Sequence, residues 1–174
     1  MPMDKLVEDL LAGSRRALAR MLTIVENERD GMHTALAQLF PHTGQAWVIG
    51  VTGAPGTGKS SLVNVLAKAY RERDKTVAIL AVDPTSPFSG GAILGDRIRM
   101  NSLSRAGTFM RSVASRGSGN EISKALPDLL KFCKNLDFDL LIAESSGIGQ
   151  ASSAILDVSD ISLYVMTSEF GAQS

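Results

Sequence analysis

The sequence predicts an α/β fold, a mostly parallel β-sheet with helices on both faces, preceded by an N-terminal helical extension. Two observations carry this. From residue 47 onward, short apolar runs suited to buried strands alternate with stretches of helical period. Residues 4 to 40 instead show only the three- and four-residue spacing of helical faces. A third observation, a glycine-rich octapeptide between the first apolar run and the helix after it, marks where the chemistry falls.

In the N-terminal part, Leu6, Leu10, Leu11, Leu18, Met21, Leu22 and Val25 recur on one helical face. Ser14 is placed to cap a second helix after the break at Gly13, and Asp30 to cap a third that runs to Leu39. Pro41-His42-Thr43-Gly44 is a turn-rich boundary. It divides the chain into a helical extension, 1–43, and an α/β domain, 44–174. Trp47 to Val51 is then a strand buried on both faces. Residues 59 to 73 read as a helix with Leu62, Val65, Leu66 and Ala69 on its apolar side. Thr76 to Val82 is a second strand, ending in Asp83-Pro84. Thr85 to Gly95 is loop-like, a short helix follows to Ser104, and Thr108 to Val113 is a strand. Glu121 to Leu136 is helical despite Pro127. Asp139 to Ala143 and Ile161 to Met166 complete the strands.

The bulk composition narrows the function classes. Eighteen basic and eighteen acidic side chains give zero formal charge, so no bulk field favours nucleic acid or an anionic membrane. Cys133 is the single cysteine, which forbids an internal disulfide and fits a reducing compartment. No apolar run reaches the roughly 20 residues of a membrane span, and the N-terminus lacks a signal-type apolar core. These features predict a cytoplasmic protein.

Gly53-Ala54-Pro55-Gly56-Thr57-Gly58-Lys59-Ser60 matches G-x-x-x-x-G-K-[ST] at every position. The glycines let the backbone wrap tightly and aim N–H groups at phosphate oxygens. The following helix adds the positive end of its dipole, and Ser61 lies in its first turn. Lys59 offers a point charge to the β- and γ-phosphates, and the Ser60 hydroxyl suits Mg2+. An accidental match in a chain of this length is on the order of one in a hundred. A strand before it and a helix after it place the domain in the P-loop NTPase class.

Hydrolysis also needs a held metal and a positioned water. Asp83 and Glu144 end strands, and in open α/β sheets the carboxyl ends of strands line one crevice, where the P-loop also lies. Asp96 sits in the glycine-rich segment 90–97. Mg2+ takes few protein oxygens and keeps several waters, so Ser60 with one or two of Asp83, Asp96 and Glu144 suffices. Asp83 also suits a turn, and Asp96 a helix cap. The loop Glu144-Ser145-Ser146-Gly147-Ile148-Gly149-Gln150 suits a γ-phosphate contact through the Gly147 amide. Gln150 fits two roles equally: orienting the attacking water, or a solvated loop residue.

At these residues the chain resembles the MeaB/ArgK-type P-loop GTPases, chaperones of adenosylcobalamin-dependent acyl-CoA mutases. The matching stretches are the P-loop, 81–86, the distinctive Gly90-Gly91-Ala92-Ile93-Leu94-Gly95-Asp96-Arg97-Ile98-Arg99-Met100, Glu144 to Gln150, and Leu11 to Arg20. The stretches 109–112 and 163–172 are similar to the GTPase module of fused isobutyryl-CoA mutases. The resemblance implies GTP as substrate, Mg2+ held by Ser60, Asp83, Asp96 and Glu144, and switch loops near 85–100 and 144–152. It also implies a mutase partner, commonly methylmalonyl-CoA mutase, engaged in trans, and a homodimer for the full-length protein. The guanine-reading Asn-Lys-x-Asp segment of such GTPases does not occur here. The chain therefore reads as the front part of a larger protein or a truncated product, with guanine preference resting on resemblance alone.

Other readings stay open beside this one. A nickel-delivery GTPase would need Cys- or His-rich metal sites, against one Cys and two His. A small-molecule kinase would need an acceptor pocket with a base. A non-catalytic nucleotide-binding module would show weak phosphate binding alone. His33 and His42 read as surface or packing residues, and Cys133 as a small buried hydrophobe. Arg97, Arg99, Arg111 and Arg116 read as solvated or partner-facing, with an arginine finger as the alternative.

Overall fold

The computed structural model describes residues 2–27, 29–42, 46–83, 107–114, 121–134, 136, 138–145 and 150–168. The N-terminal part forms three helices, α1 (Met3–Leu11), α2 (Arg15–Glu26) and α3 (Met32–Leu39), followed by a 3-10 turn at Phe40–His42. Ser14 caps α2 as its sequence position requires, accepting a hydrogen bond from the Ala17 amide at 3.2 Å. The cap expected of Asp30 is not formed. Gly31 takes the N-cap position of α3 with φ +85°, a left-handed turn that glycine enters without steric cost.

The remaining elements are β1 (Trp47–Thr52), α4 (Lys59–Arg71), β2 (Val77–Asp83), β3 (Thr108–Ala114), α5 (Glu121–Lys134), β4 (Leu140–Ser145), α6 (Gln150–Val158) and β5 (Ile161–Tyr164). The five strands form one sheet in the order β3-β2-β4-β1-β5, and every neighbouring pair is parallel. The predicted loop and short helix between Thr85 and Ser104 lie outside the described residues.

Alternate residues of the strands feed two apolar clusters, because side chains point to opposite faces in turn. On one face Val48, Ala78, Leu80, Val82, Leu141 and Ala143 pack with Leu129, Phe132 and Cys133 of α5 and Ile155 of α6. Met21, Leu22 and Leu39 of the N-terminal helices belong to that same cluster. On the other face Ile49, Val51, Val77, Ile79, Leu140 and Ile142 pack with Val63 and Ala67 of α4. The buried side of α4 is thus Val63 and Ala67, while Val65, expected to face inward, is 64% exposed. The cause is local. The loop before α4 turns Lys59 inward, and the helical period then carries residues 63 and 67 onto the sheet behind it.

Arg111 of β3 is tied to α2, donating to the Ala19 carbonyl at 3.0 Å and the Thr23 hydroxyl at 2.8 Å. It therefore serves packing of the N-terminal helices, not a solvated face or a phosphate. Cys133 is fully buried, and burial pushes its thiol up to about 12, so it behaves as a small hydrophobe. Among the described residues no helix is long and apolar enough to cross a membrane.

Two carboxylates fasten the amino ends of the strands. Asp139 accepts hydrogen bonds from the Thr76 amide at 2.8 Å and from Lys75 Nζ at 3.1 Å. Asp160 accepts from the Val48 amide at 2.8 Å and Lys134 Nζ at 3.3 Å. The backbone amide is the main reason each carboxyl lies below the ordinary range, with the lysine adding to it. A depressed folded value means stability present above the unfolded value, near pH 4, and lost as pH falls through the folded one. Asp139→Asn with Asp160→Asn is expected to cost about 1 kcal/mol per site at neutral pH. It is also expected to flatten the acid limb of urea-midpoint stability against pH. A double variant whose midpoint falls as steeply with acid as the parent's would show that these carboxylates do not govern acid unfolding.

Candidate cradle for a phosphate

The site forms at the carboxyl end of the sheet because β1 and β4 are neighbours. Val51 of β1 is in register with Glu144 of β4, and Ala81 of β2 flanks Glu144 on the other side. The loop that leaves β1 therefore starts beside the acidic end of β4. It curls through Gly53, Gly56 and Gly58, which have φ of +142°, +80° and +90°, and enters α4 at Lys59. Gly53 is required twice over. Its φ is one that L residues rarely adopt, and a Cβ there would stand 2.2 Å from the Val165 carbonyl oxygen. Gly56 and Gly58 instead meet nothing within 4 Å, which leaves their backbone open to a ligand.

The first-turn amides of α4 lack intrahelical acceptors and point toward the loop, a ready anion site. Lys59 is 6% exposed, with its ammonium donating to the Ala54 carbonyl at 2.8 Å. The Thr57 hydroxyl donates to the same carbonyl at 2.8 Å. Burial lowers the Lys59 pKa, and the negative charge of Glu144 opposes that shift. Glu144 is itself 8% exposed and accepts a 2.6 Å hydrogen bond from the Ser60 hydroxyl. Behind it the buried Ser145 hydroxyl donates to Thr52 Oγ1 at 3.0 Å, a second link between β4 and β1.

A cleft of about 400 Å³ opens over this end of the sheet. It is lined by the loop and first turn from Pro55 to Ser61, by Val63 and Asn64 of α4, and by residues of β2, β3 and β4 that include Ala81, Met110 and Glu144. Ser60 and Glu144 bring a hydroxyl and a carboxylate together, hard oxygen donors of the kind that suit Mg2+. Their 2.6 Å contact beside a buried ammonium fits a metal shared with a polyphosphate.

The sequence-predicted residues fall into three groups. The loop Gly53–Ser60, Ser61 and Glu144 come together at one end of the sheet, with Ala54 and Thr57 turned into the loop's own hydrogen bonds. Asp83 ends β2 next to β4, and Gln150 begins α6, each described by its backbone alone. Asp96 and Gly147 lie outside the described residues. Two features escaped the sequence reading. The Thr52–Ser145 pair had no signal beyond two hydroxyl residues at strand ends. Asn64 had one, a four-residue step from Ser60 that puts both on one flank of α4.

Comparison with known proteins agrees with this geometry. The family model described as methylmalonyl-CoA mutase-associated GTPase MeaB matches residues 18–173. A fused isobutyryl-CoA mutase of Cupriavidus metallidurans is 46% identical over 97% of this chain and 16% of its own length. The GTPase ArgK of Escherichia coli is 36% identical over 88% of this chain and 48% of its own length. A solved LAO/AO transport system kinase superposes with a TM-score of 0.72 at 25% identity, covering 94% of this chain and 49% of that one. The chain thus spans about half the length of these GTPase and kinase relatives, and a much smaller share of the fused mutase.

The glycine geometry gives a graded expectation. Gly53→Ala should cost about 2 kcal/mol or more, since a strained φ and a clash with the Val165 carbonyl add. Gly56→Ala should cost only about 1 kcal/mol, the left-handed backbone term alone. Urea denaturation of both variants checks the order, and equal losses would remove the close approach of Val165 as a constraint.

Proposed function

Because the chain belongs to the family of methylmalonyl-CoA mutase-associated GTPases, we propose that it binds Mg–GTP in this cleft and hydrolyses it. On this reading it serves as chaperone and regulator of an adenosylcobalamin-dependent acyl-CoA mutase. The observation that carries the catalytic half is the 2.6 Å contact of Ser60 with Glu144 beside the buried Lys59. The mutase half is supported by relatives in which a similar segment is joined to an isobutyryl-CoA mutase. On the same reading the working form is a homodimer.

The loop amides and the α4 N-terminus bind the β- and γ-phosphates, and Lys59 leaves the Ala54 carbonyl to neutralise their charge. Ser60 and Glu144 would hold Mg2+, with Asp83 and Asp96 as the further carboxylates. The metal's chemistry there is charge neutralisation on the phosphate oxygens. Water attacks the γ-phosphorus in line, the bond to the β–γ bridging oxygen breaks, and GDP and inorganic phosphate leave. Gly147 supplies an amide to the γ-phosphate, and Gln150 orients the water. On this reading intrinsic turnover is slow, and a partner accelerates it by completing the site.

Lys59→Ala is expected to lower GTP hydrolysis by at least about a hundredfold, because the cradle loses its only in-loop cation. Glu144→Ala is expected to raise the Mg2+ requirement more than it weakens binding of the nucleotide. Phosphate release and calorimetric titration with GTP and with ATP measure both effects. Turnover unchanged in Lys59→Ala would refute the site, and equal affinity for the two nucleotides would refute guanine selectivity.

A further inference from the structure

Asn64 lines the cleft without a protein partner for its side chain. It lies in the second turn of α4, where asparagine is a poorer helix former than Leu, Ala or Lys by roughly 0.5 kcal/mol. Val63, Ala81 and Met110, which line the same cleft, are apolar. Asn64 itself is half-buried, its amide reaches solvent in the cleft, and it makes no side-chain hydrogen bond to any other described residue. An amide on a cleft wall that no protein group engages is open to a ligand in that cleft.

The helix settles which part of the ligand. Residues four apart share a flank of an α-helix, so Asn64 stands one turn beyond Ser60, whose hydroxyl meets Glu144 at 2.6 Å. A divalent cation of the Mg2+ type takes few protein oxygens and keeps several waters, each a stronger hydrogen-bond donor than bulk water. We propose that Asn64 is a positioning residue for that shell, its side-chain carbonyl accepting a hydrogen bond from a water on the cation held by Ser60 and Glu144. This rests on the reading that the cleft takes a metal–nucleotide. Asn64 then sets how much free Mg2+ is needed to tighten the nucleotide, without touching the nucleotide itself.

The test compares the parent chain with Asn64→Leu, which keeps size and improves helix propensity but removes the acceptor. Asn64→Asp retains the acceptor and adds charge. Fluorescence titration with an N-methylanthraniloyl guanosine diphosphate probe gives its affinity in EDTA and over a Mg2+ series. Asn64→Leu is expected to need about tenfold more Mg2+ for half-maximal tightening, the loss of one charge-assisted hydrogen bond, with affinity in EDTA unchanged. Asn64→Asp is expected to need no more Mg2+ than the parent. A parental Mg2+ midpoint in Asn64→Leu overturns the proposal. So does an equal loss of affinity in EDTA, which would assign Asn64 to the nucleotide or to folding. Lys59→Ala separates the two readings: if it binds the probe as the parent does, the phosphate cradle itself fails and the Asn64 role with it.

Discussion

The parallel pairing of β1 with β4 is the constraint on which the site depends. It sets the phosphate-binding loop and Glu144 on neighbouring strand ends, with Val51 opposite Glu144 in the register. A loop of the same sequence after a strand that did not border β4 would bring a lysine and a helix N-terminus to a ligand but no carboxylate. The Thr52–Ser145 hydroxyl contact behind the site repeats the link and limits shear between the two strands. A one-residue slip would send Glu144 to the opposite face of the sheet, so the register of β1 on β4 is what aims the carboxylate.

The two ends of the sheet are held by different means. At the amino ends, Asp139 and Asp160 accept backbone amides and lysines, so the strands start from fixed points. At the carboxyl ends the polar groups mostly satisfy one another within the loop and with Glu144. The N-terminal helices add a further restraint. Met21 and Leu22 share an apolar cluster with β2, β4 and α5, and Arg111 reaches from β3 into α2. A displacement of α2 is therefore felt at β3 and at the strands beside it, in a core that resists continuous deformation.

Most of the architecture was legible because period and motif report it directly. Alternating apolar runs gave the strands, and Gly53 to Ser60 placed the loop between β1 and α4. The errors lay where tertiary geometry overrode a local rule. Asp30 has the chemistry of an N-cap, yet Gly31 takes the position because the chain must turn left-handed there. Val65 is apolar but exposed, because the inward turn of Lys59 sets the rotation of α4. Arg111 could not be placed from sequence, since its partners are 88 and 92 residues away. The acidic strand end at Glu144 was readable from position. Its contact with Ser60 needed the strand order, which no linear pattern states.

That contact also explains how a buried ammonium and a buried carboxylate persist in one cleft. Unpaired, each would carry a desolvation cost of several kcal/mol. Lys59 meets the Ala54 carbonyl and feels Glu144 as a favourable charge, while Glu144 is bonded by Ser60. The acceptor that Lys59 meets, the Ala54 carbonyl, is neutral. Phosphate oxygens carry formal charge and the Ala54 carbonyl does not, so on the proposed reading ligand entry would exchange a neutral acceptor for an ionic one at Lys59. The same entry would favour the ammonium's charged form, against the shift that burial imposes. On the proposed reading the loop binds by substitution of partners at Lys59, within a backbone curl that Gly53 makes possible.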